Sequence, residues 1–197
     1  GLIQNRFDRL NHLESADTKV KQFVTHDCLQ LYVQLEKNVQ QIYQAHGVKL
    51  DHKIDLLHQT LSPSDYGFHN ALETKAGELC FLDFEYFGWD DPVKMVSDFM
   101  WHPGQNVSDA LKAYFRSKME TLFSHAPFFS VRLNALLPMY GLIWILISLN
   151  HFIPAVWEAK IAAGVVKVQD KPEILQHQFQ SAKTIFNNIL STVWENS

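Results

Sequence analysis

Residues 133–157 contain no Asp, Glu, Lys or Arg, and no other feature narrows the possible folds as sharply. An uncharged stretch of this length either crosses a membrane or fills the centre of a folded domain. Asn134, Pro138, Asn150, His151 and Pro154 interrupt it. Its apolar run from Met139 to Leu149 falls short of the roughly 20 residues a helix needs to span a bilayer. The reading is therefore a buried central helix, with no membrane span.

A buried helix requires amphipathic neighbours. From Asp17 to Ala45 the apolar positions Val20, Val24, Cys28, Leu31, Leu35, Val39 and Ile42 recur at gaps of four and three, and Gly47 follows. That period predicts one long helix with a single apolar stripe, whose natural partner is the segment Leu136–Leu149. Residues 1–16 read as a short helix or a connector. Ile54 to Leu57 reads as a short strand. Asp91 before Pro92 predicts an N-cap and a helix running to about Trp101. Ser108 predicts a second capped helix to Leu122, with Leu111, Tyr114, Phe115, Met119 and Leu122 on its buried side. Asp170-Lys171-Pro172-Glu173 resembles a capping box that opens a last helix, with Leu175, Phe179, Ala182, Phe186, Ile189 and Val193 as its stripe.

Between these helices lies a different kind of sequence, SPSDYGFHNALETKAGELCFLDFEYFGWDDP, from Ser62 to Pro92. Ala71 to Thr74 and Leu79 to Leu82 read as strands joined by a turn at Lys75-Ala76-Gly77-Glu78, and the chain is expected to turn again at Gly88. A hairpin there returns Asp83 to the neighbourhood of Asn70, five residues after Asp65. Two carboxylates and an amide so arranged suit phosphoryl transfer, where the protein supplies position and charge neutralisation rather than covalent chemistry. One Asp accepts the proton of an attacking hydroxyl; the other Asp and the Asn give oxygen ligands to magnesium. Taken singly the same residues have ordinary uses: Asp65 capping a turn, Asn70 in a loop, Asp83 ending a strand.

This segment resembles the aminoglycoside phosphotransferase and choline kinase family, whose fold is protein-kinase-like. Asp65-x-x-x-x-Asn70 is similar to the family's catalytic loop, and Asp83-Phe84-Glu85-Tyr86 to its metal-binding motif. The resemblance implies Asp65 as catalytic base, Asn70 and Asp83 as magnesium ligands, and Asp98 as a support from the following helix; His69, by its place inside the loop, is a further supporting candidate. It implies ATP (or GTP) as phosphoryl donor and a small-molecule hydroxyl as acceptor. For fold it implies a mainly helical domain with one small β-hairpin, the C-terminal lobe of a small-molecule kinase over residues 1–197, with 1–16 connecting to an N-terminal lobe. Two departures stand out. Pro63 occupies the position where the family has a His, and none of the eight glycines forms a G-x-G loop. With no strand lysine upstream either, the nucleotide-clasping N-terminal lobe is missing; a start at Gly1 rather than Met points to an excised piece that binds nucleotide poorly and is inactive alone. A catalytically inactive, kinase-like binding or regulatory module is the alternative.

For the acceptor, Glu85, Asp90, Asp91 and Glu158 together with Trp89, Trp101, Trp144 and Trp157 suit a cationic amine or amino-alcohol, through charge pairing and cation–π contact. Glu85, Trp89 and Asp90 lie nearest the metal motif. The other view makes the tryptophans core and the acids caps. Ten histidines include no metal-ligand spacing, and only His69 draws notice. Seventeen basic and 21 acidic residues give a net charge of −4, with no basic stripe for nucleic acid. Cys28 and Cys80 sit in apolar contexts and suggest no disulfide framework, so a reducing cytoplasm is expected.

Overall fold

The computed structural model describes residues 2–11, 18–63, 65, 67–85, 87–105 and 107–194. Eight α-helices and four short strands are described: α1 Leu2–Asn11, α2 Thr18–Gln22, α3 Leu29–Ala45, β1 Thr60–Ser62, β2 Ala71–Glu73, β3 Leu79–Phe81, β4 Gly88–Asp90, α4 Pro92–Trp101, α5 Asp109–Leu122, α6 Phe129–Ser148, α7 Pro154–Ala162 and α8 Lys171–Trp194. A π-helical stretch, Phe23–Cys28, joins α2 to α3, so the expected long helix is wound in two registers. The protein is thus mainly helical with two small antiparallel sheets, one more than the sequence suggested.

The chain folds into two compact units, Gly1–Glu36 with Gly141–Ser197, and Lys37–Tyr140. The first is helical throughout its described elements. Its fully buried residues are apolar: Leu10, Val20, Val24, Leu31 and Leu35 from the N-terminal part, Leu142, Ile145, Leu146 and Leu149 from α6 and its continuation, Ala182 and Ile189 from α8. Phe23 meets Phe179 and Phe186 edge-on, at 5.6 and 5.2 Å between centroids. Of the expected stripes, Val20, Val24, Cys28, Leu31, Leu35, Ala182 and Ile189 are buried and Leu175, Phe179 and Phe186 half-buried, while the Val193 side chain lies outside the described residues. Burial, with the Asp27 charge beside it, pushes the Cys28 thiol up, so it behaves as a small inert hydrophobe.

The second unit holds both sheets. Here Val39, Tyr43 and Val48 pack with Ala135, and Leu136 and Met139 close over them. This is the expected pairing of the two helical stripes, within this unit. Val93 and Val96 of α4 form a second cluster with Phe123, Phe129, Leu133 and Leu137. Asp91 caps α4 as expected, its Oδ1 accepting from the Val93 N–H at 2.9 Å. Its other oxygen pairs with Arg132, which is buried on α6. Helix α6 is long and apolar enough to cross a membrane by length and composition, but two-thirds of its most apolar window is buried within the protein.

Three local expectations change. Leu56–His58 forms a 3-10 turn, and the strand comes later, at Thr60–Ser62. Gly88 does not turn the chain; it opens β4 and pairs with Ser62. On α5, Ser108 does cap through its Oγ. Yet Leu111, Tyr114 and Leu122 are exposed, and only Phe115 and Met119 pack inward. Of the five residues the period marked, two pack inward and three stay exposed among the described residues.

Candidate functional site

The two sheets are nested. The outer ladder pairs β1 with β4, Ser62 opposite Gly88, and the inner ladder pairs β2 with β3, Ala71 opposite Phe81. One further bond, Leu82 N–H to Asn70 C=O at 2.8 Å, extends the inner ladder toward the outer. Two connectors therefore run between the same pair of ladders. Residues 63–70 carry Asp65, His69 and Asn70, and residues 82–87 carry Asp83 and Glu85. Alternating ladder hydrogen bonds fix which residues stand opposite one another. The hairpin accordingly returns Asp83 to Asn70, as its spacing predicted.

The first connector is tightly made. A 3-10 turn, Phe68–Asn70, closes with the Asn70 N–H on the Gly67 carbonyl at 3.0 Å. The Asn70 side-chain Nδ2 donates to the Asp65 carbonyl at 3.0 Å, so its Oδ1 is turned to the other side of the amide. Phe68 lies edge-on to Phe99 of α4, and the Phe68 N–H donates to Gln105 Oε1 at 3.3 Å. A Cβ at Gly67 would fall 1.5 Å from Gln105 Nε2, so a larger residue there would push the Gln105 side chain aside. The second connector is more open. Asp83 is exposed and adopts φ 61°, a left-handed conformation rare outside glycine, tolerated best by Asn and Asp and concentrated at functional sites.

Asp65 is half-exposed and gathers two imidazoles. His69 Nε2 lies 2.9 Å from its Oδ1 and His102 Nε2 3.2 Å from the same atom. The two rings stack face to face, 3.9 Å between centroids and 2° between planes. His102 follows α4 directly and has its Nδ1 within 2.9 Å of the Gly104 N–H, from which it accepts. The neutral ring therefore carries its proton on Nε2, facing Asp65. Burial lowers the His102 pKa to about 4, with the neighbouring His69 acting the same way and Asp65 opposing.

Asp65, His69 and His102 bring their ligand atoms within 4.8 Å of one another, close enough for a transition metal by distance. Their geometry does not fit one. A metal bonds each imidazole in the plane of its ring, and two parallel planes share no point. Coordination by His102 Nε2 would also move its proton to Nδ1, against the Gly104 N–H. Magnesium is a different case, taking one or two carboxylates and filling its shell with phosphate and water. The oxygen donors at Asn70 and Asp83 fit it in kind.

The remaining expected residues are dispersed. Asp98 is buried on α4 and pairs with Lys94 at 3.0 Å, as does Asp90, also at 3.0 Å. Burial disfavours the ammonium, but the two carboxylates outweigh it and the Lys94 pKa rises. Asp90 also accepts the Asp91 N–H, so each of its oxygens already has a partner within the chain. Asp91 is taken by Arg132 and the helix cap. Trp101 donates its Nε1 proton to the Leu137 carbonyl, and Trp157 is buried, so both belong to cores. Glu158 lies in the other unit. Glu85 and Trp89 are exposed, Trp89 opposite Leu61 in the outer ladder. His102, Gly104 and Gln105 gave no sign of themselves in the sequence pattern. They lie more than 30 residues from the loop they contact, and the only local sign was Pro103, which ends α4 and leaves His102 at its exit.

No protein-family model, curated protein or solved structure significantly matches the chain.

Proposed function

We propose that this chain is the catalytic lobe of a small-molecule kinase, moving the γ-phosphoryl group of ATP (or GTP) to a hydroxyl of an amino-alcohol, aminoglycoside or sugar. The observation that carries the proposal is the nested pair of ladders. It puts a D-x-x-x-x-N loop and a strand-end Asp on two connectors spanning the same gap. Asp65 is the base: it accepts the acceptor's hydroxyl proton as that oxygen bonds to the γ-phosphorus and the bond to the β-phosphate oxygen breaks, releasing ADP. Asn70 and Asp83 are the residues that would hold magnesium, which supplies charge neutralisation for the phosphates. Exposed Trp89 and Glu85 offer a π-face and a carboxylate to a cationic acceptor. An N-terminal lobe that clasps the nucleotide, and a cytoplasmic setting consistent with the free thiols Cys28 and Cys80, complete the reading.

The test is ADP formation by the complete protein with magnesium, ATP and a panel of amino-alcohols, aminoglycosides and sugars. Turnover abolished by Asp65→Asn supports the reading. Turnover that survives it, or none with any acceptor, refutes it. Calorimetric titration of Mg-ATP into residues 1–197 should show weak binding; tight binding would overturn the need for a second lobe.

A further inference from the structure

We infer that His102, with the turn that follows it, positions the Asp65 carboxylate for catalysis. The inference rests on the kinase reading for what the carboxylate does, and on geometry alone for how it is held. Asp65 sits on a short connector with its side chain 40% exposed, and a carboxylate so placed has free rotation unless something holds it. His69 Nε2 engages Oδ1 at 2.9 Å. His69 is held in turn by the flat face of His102, which keeps the ring from swinging about its own side-chain bonds. The Gly104 N–H holds the His102 ring at the opposite edge. Gly104 also lacks the side chain that would press on both rings: a Cβ there would stand 2.9 Å from His102 Cε1 and 3.2 Å from His69 Cγ. Gln105 then fixes the neighbouring backbone through the Phe68 N–H.

The contacts form an ordered chain from α4 through His102 and His69 to Oδ1. Both imidazole nitrogens approach that single oxygen, and Oδ2 receives no hydrogen bond among the described residues. Oδ2 is therefore the atom left to take the acceptor's proton. Orientation of this kind carries large rate factors, because a misplacement of about 1 Å can cost roughly 100-fold. His102 touches neither acceptor nor nucleotide in this scheme; it is a positioning residue.

Two measurements test it, one independent of turnover. Kinetics of the complete protein compare wild type, Asp65→Asn, His102→Phe and His102→Gln, each first checked for an unchanged melting transition. Phe keeps a ring without nitrogens, while Gln keeps an N–H able to reach Oδ1. His102→Phe should lower kcat on the order of 10- to 100-fold with KM for acceptor and nucleotide nearly unchanged, and His102→Gln should restore most of the loss. Unchanged kcat in His102→Phe, or equal losses in both variants, overturns the inference. Long-range imidazole 1H–15N spectra at fixed pH should show one His69 tautomer, protonated at Nε2, in wild type and a mixture in both His102→Phe and Asp65→Ala. A His69 spectrum indifferent to both substitutions overturns it as well. If Asp65→Asn leaves turnover intact while the spectra respond as stated, the clamp stands and the kinase reading falls.

Discussion

The two units of the chain use the same raw materials to opposite ends. The helical unit, Gly1–Glu36 with Gly141–Ser197, gathers its apolar side chains into a core in which Leu142, Ile145, Leu146 and Leu149 are all fully buried, with Val165 and Val168 exposed between α7 and α8. In the other unit, the sheet-bearing stretch leaves Leu72, Leu79, Phe84, Phe87 and Trp89 roughly half or more exposed. Its hydrogen bonds fix polar groups instead, with Asn70 on Asp65 and His69 on Asp65. Helices with continuous stripes make stability; thin ladders with open connectors make a place where polar groups stay reachable. Binding and catalytic residues are concentrated on such connectors held by a firmer scaffold.

Substitutions that separate chemistry from packing will break or sharpen this contrast. The largest effect belongs to Asp65→Asn in the open region. On the proposed function Asp65 is the base, and its loss should cost about 10²- to 10⁴-fold in turnover, with the denaturation midpoint unmoved, as ADP release and urea titration will show. Asp83→Asn should also lower turnover strongly while raising the magnesium concentration needed for half-maximal rate, read from a magnesium titration. In the closed region Leu146→Ala should remove about 2–5 kcal/mol of stability, whereas Leu72→Ala, on an exposed hairpin position, should stay within about 0.5 kcal/mol. Equal losses would erase the contrast.

Asp91→Ala probes the scaffold beneath the open region. It removes a helix cap and the carboxylate paired with Arg132, whose side chain is 5% exposed. Breaking a buried pair from one side costs about 3–5 kcal/mol, measurable by the same titration. The smallest effect is on pH dependence. The folded protein holds the His102 pKa near 4, below the ordinary value of about 6.5. Between those values the unfolded chain binds the proton and the folded chain does not, so stability declines as pH falls from about 6.5 toward 4. His102→Phe should shrink the difference between denaturation midpoints at pH 7 and pH 5.

Local order in the sequence carried most of the helices and the inner hairpin. Val20, Val24, Cys28, Leu31 and Leu35 are buried because residues three and four apart share a helical face. Asp91-Pro92 started α4 because the two residues suit a cap and a first turn whatever lies around them. The outer ladder was not legible: Thr60–Ser62 and Gly88–Asp90 are three residues each and far apart, too short for alternation to show. Nor was the exposure of Leu111, Tyr114 and Leu122, since periodicity marks a face without saying what covers it.

The site divides the same way. Asp65, Asn70 and Asp83 could be brought together on paper because a hairpin is a local structure, and the turn at Gly77 sets which residues return to which. The imidazole stack against Asp65 and the cradle at Gly104 came only with the folded chain. They depend on where α4 ends relative to a loop more than 30 residues away, and that distance is fixed by the packing of Val93, Val96 and Phe99, not by any spacing along the polymer.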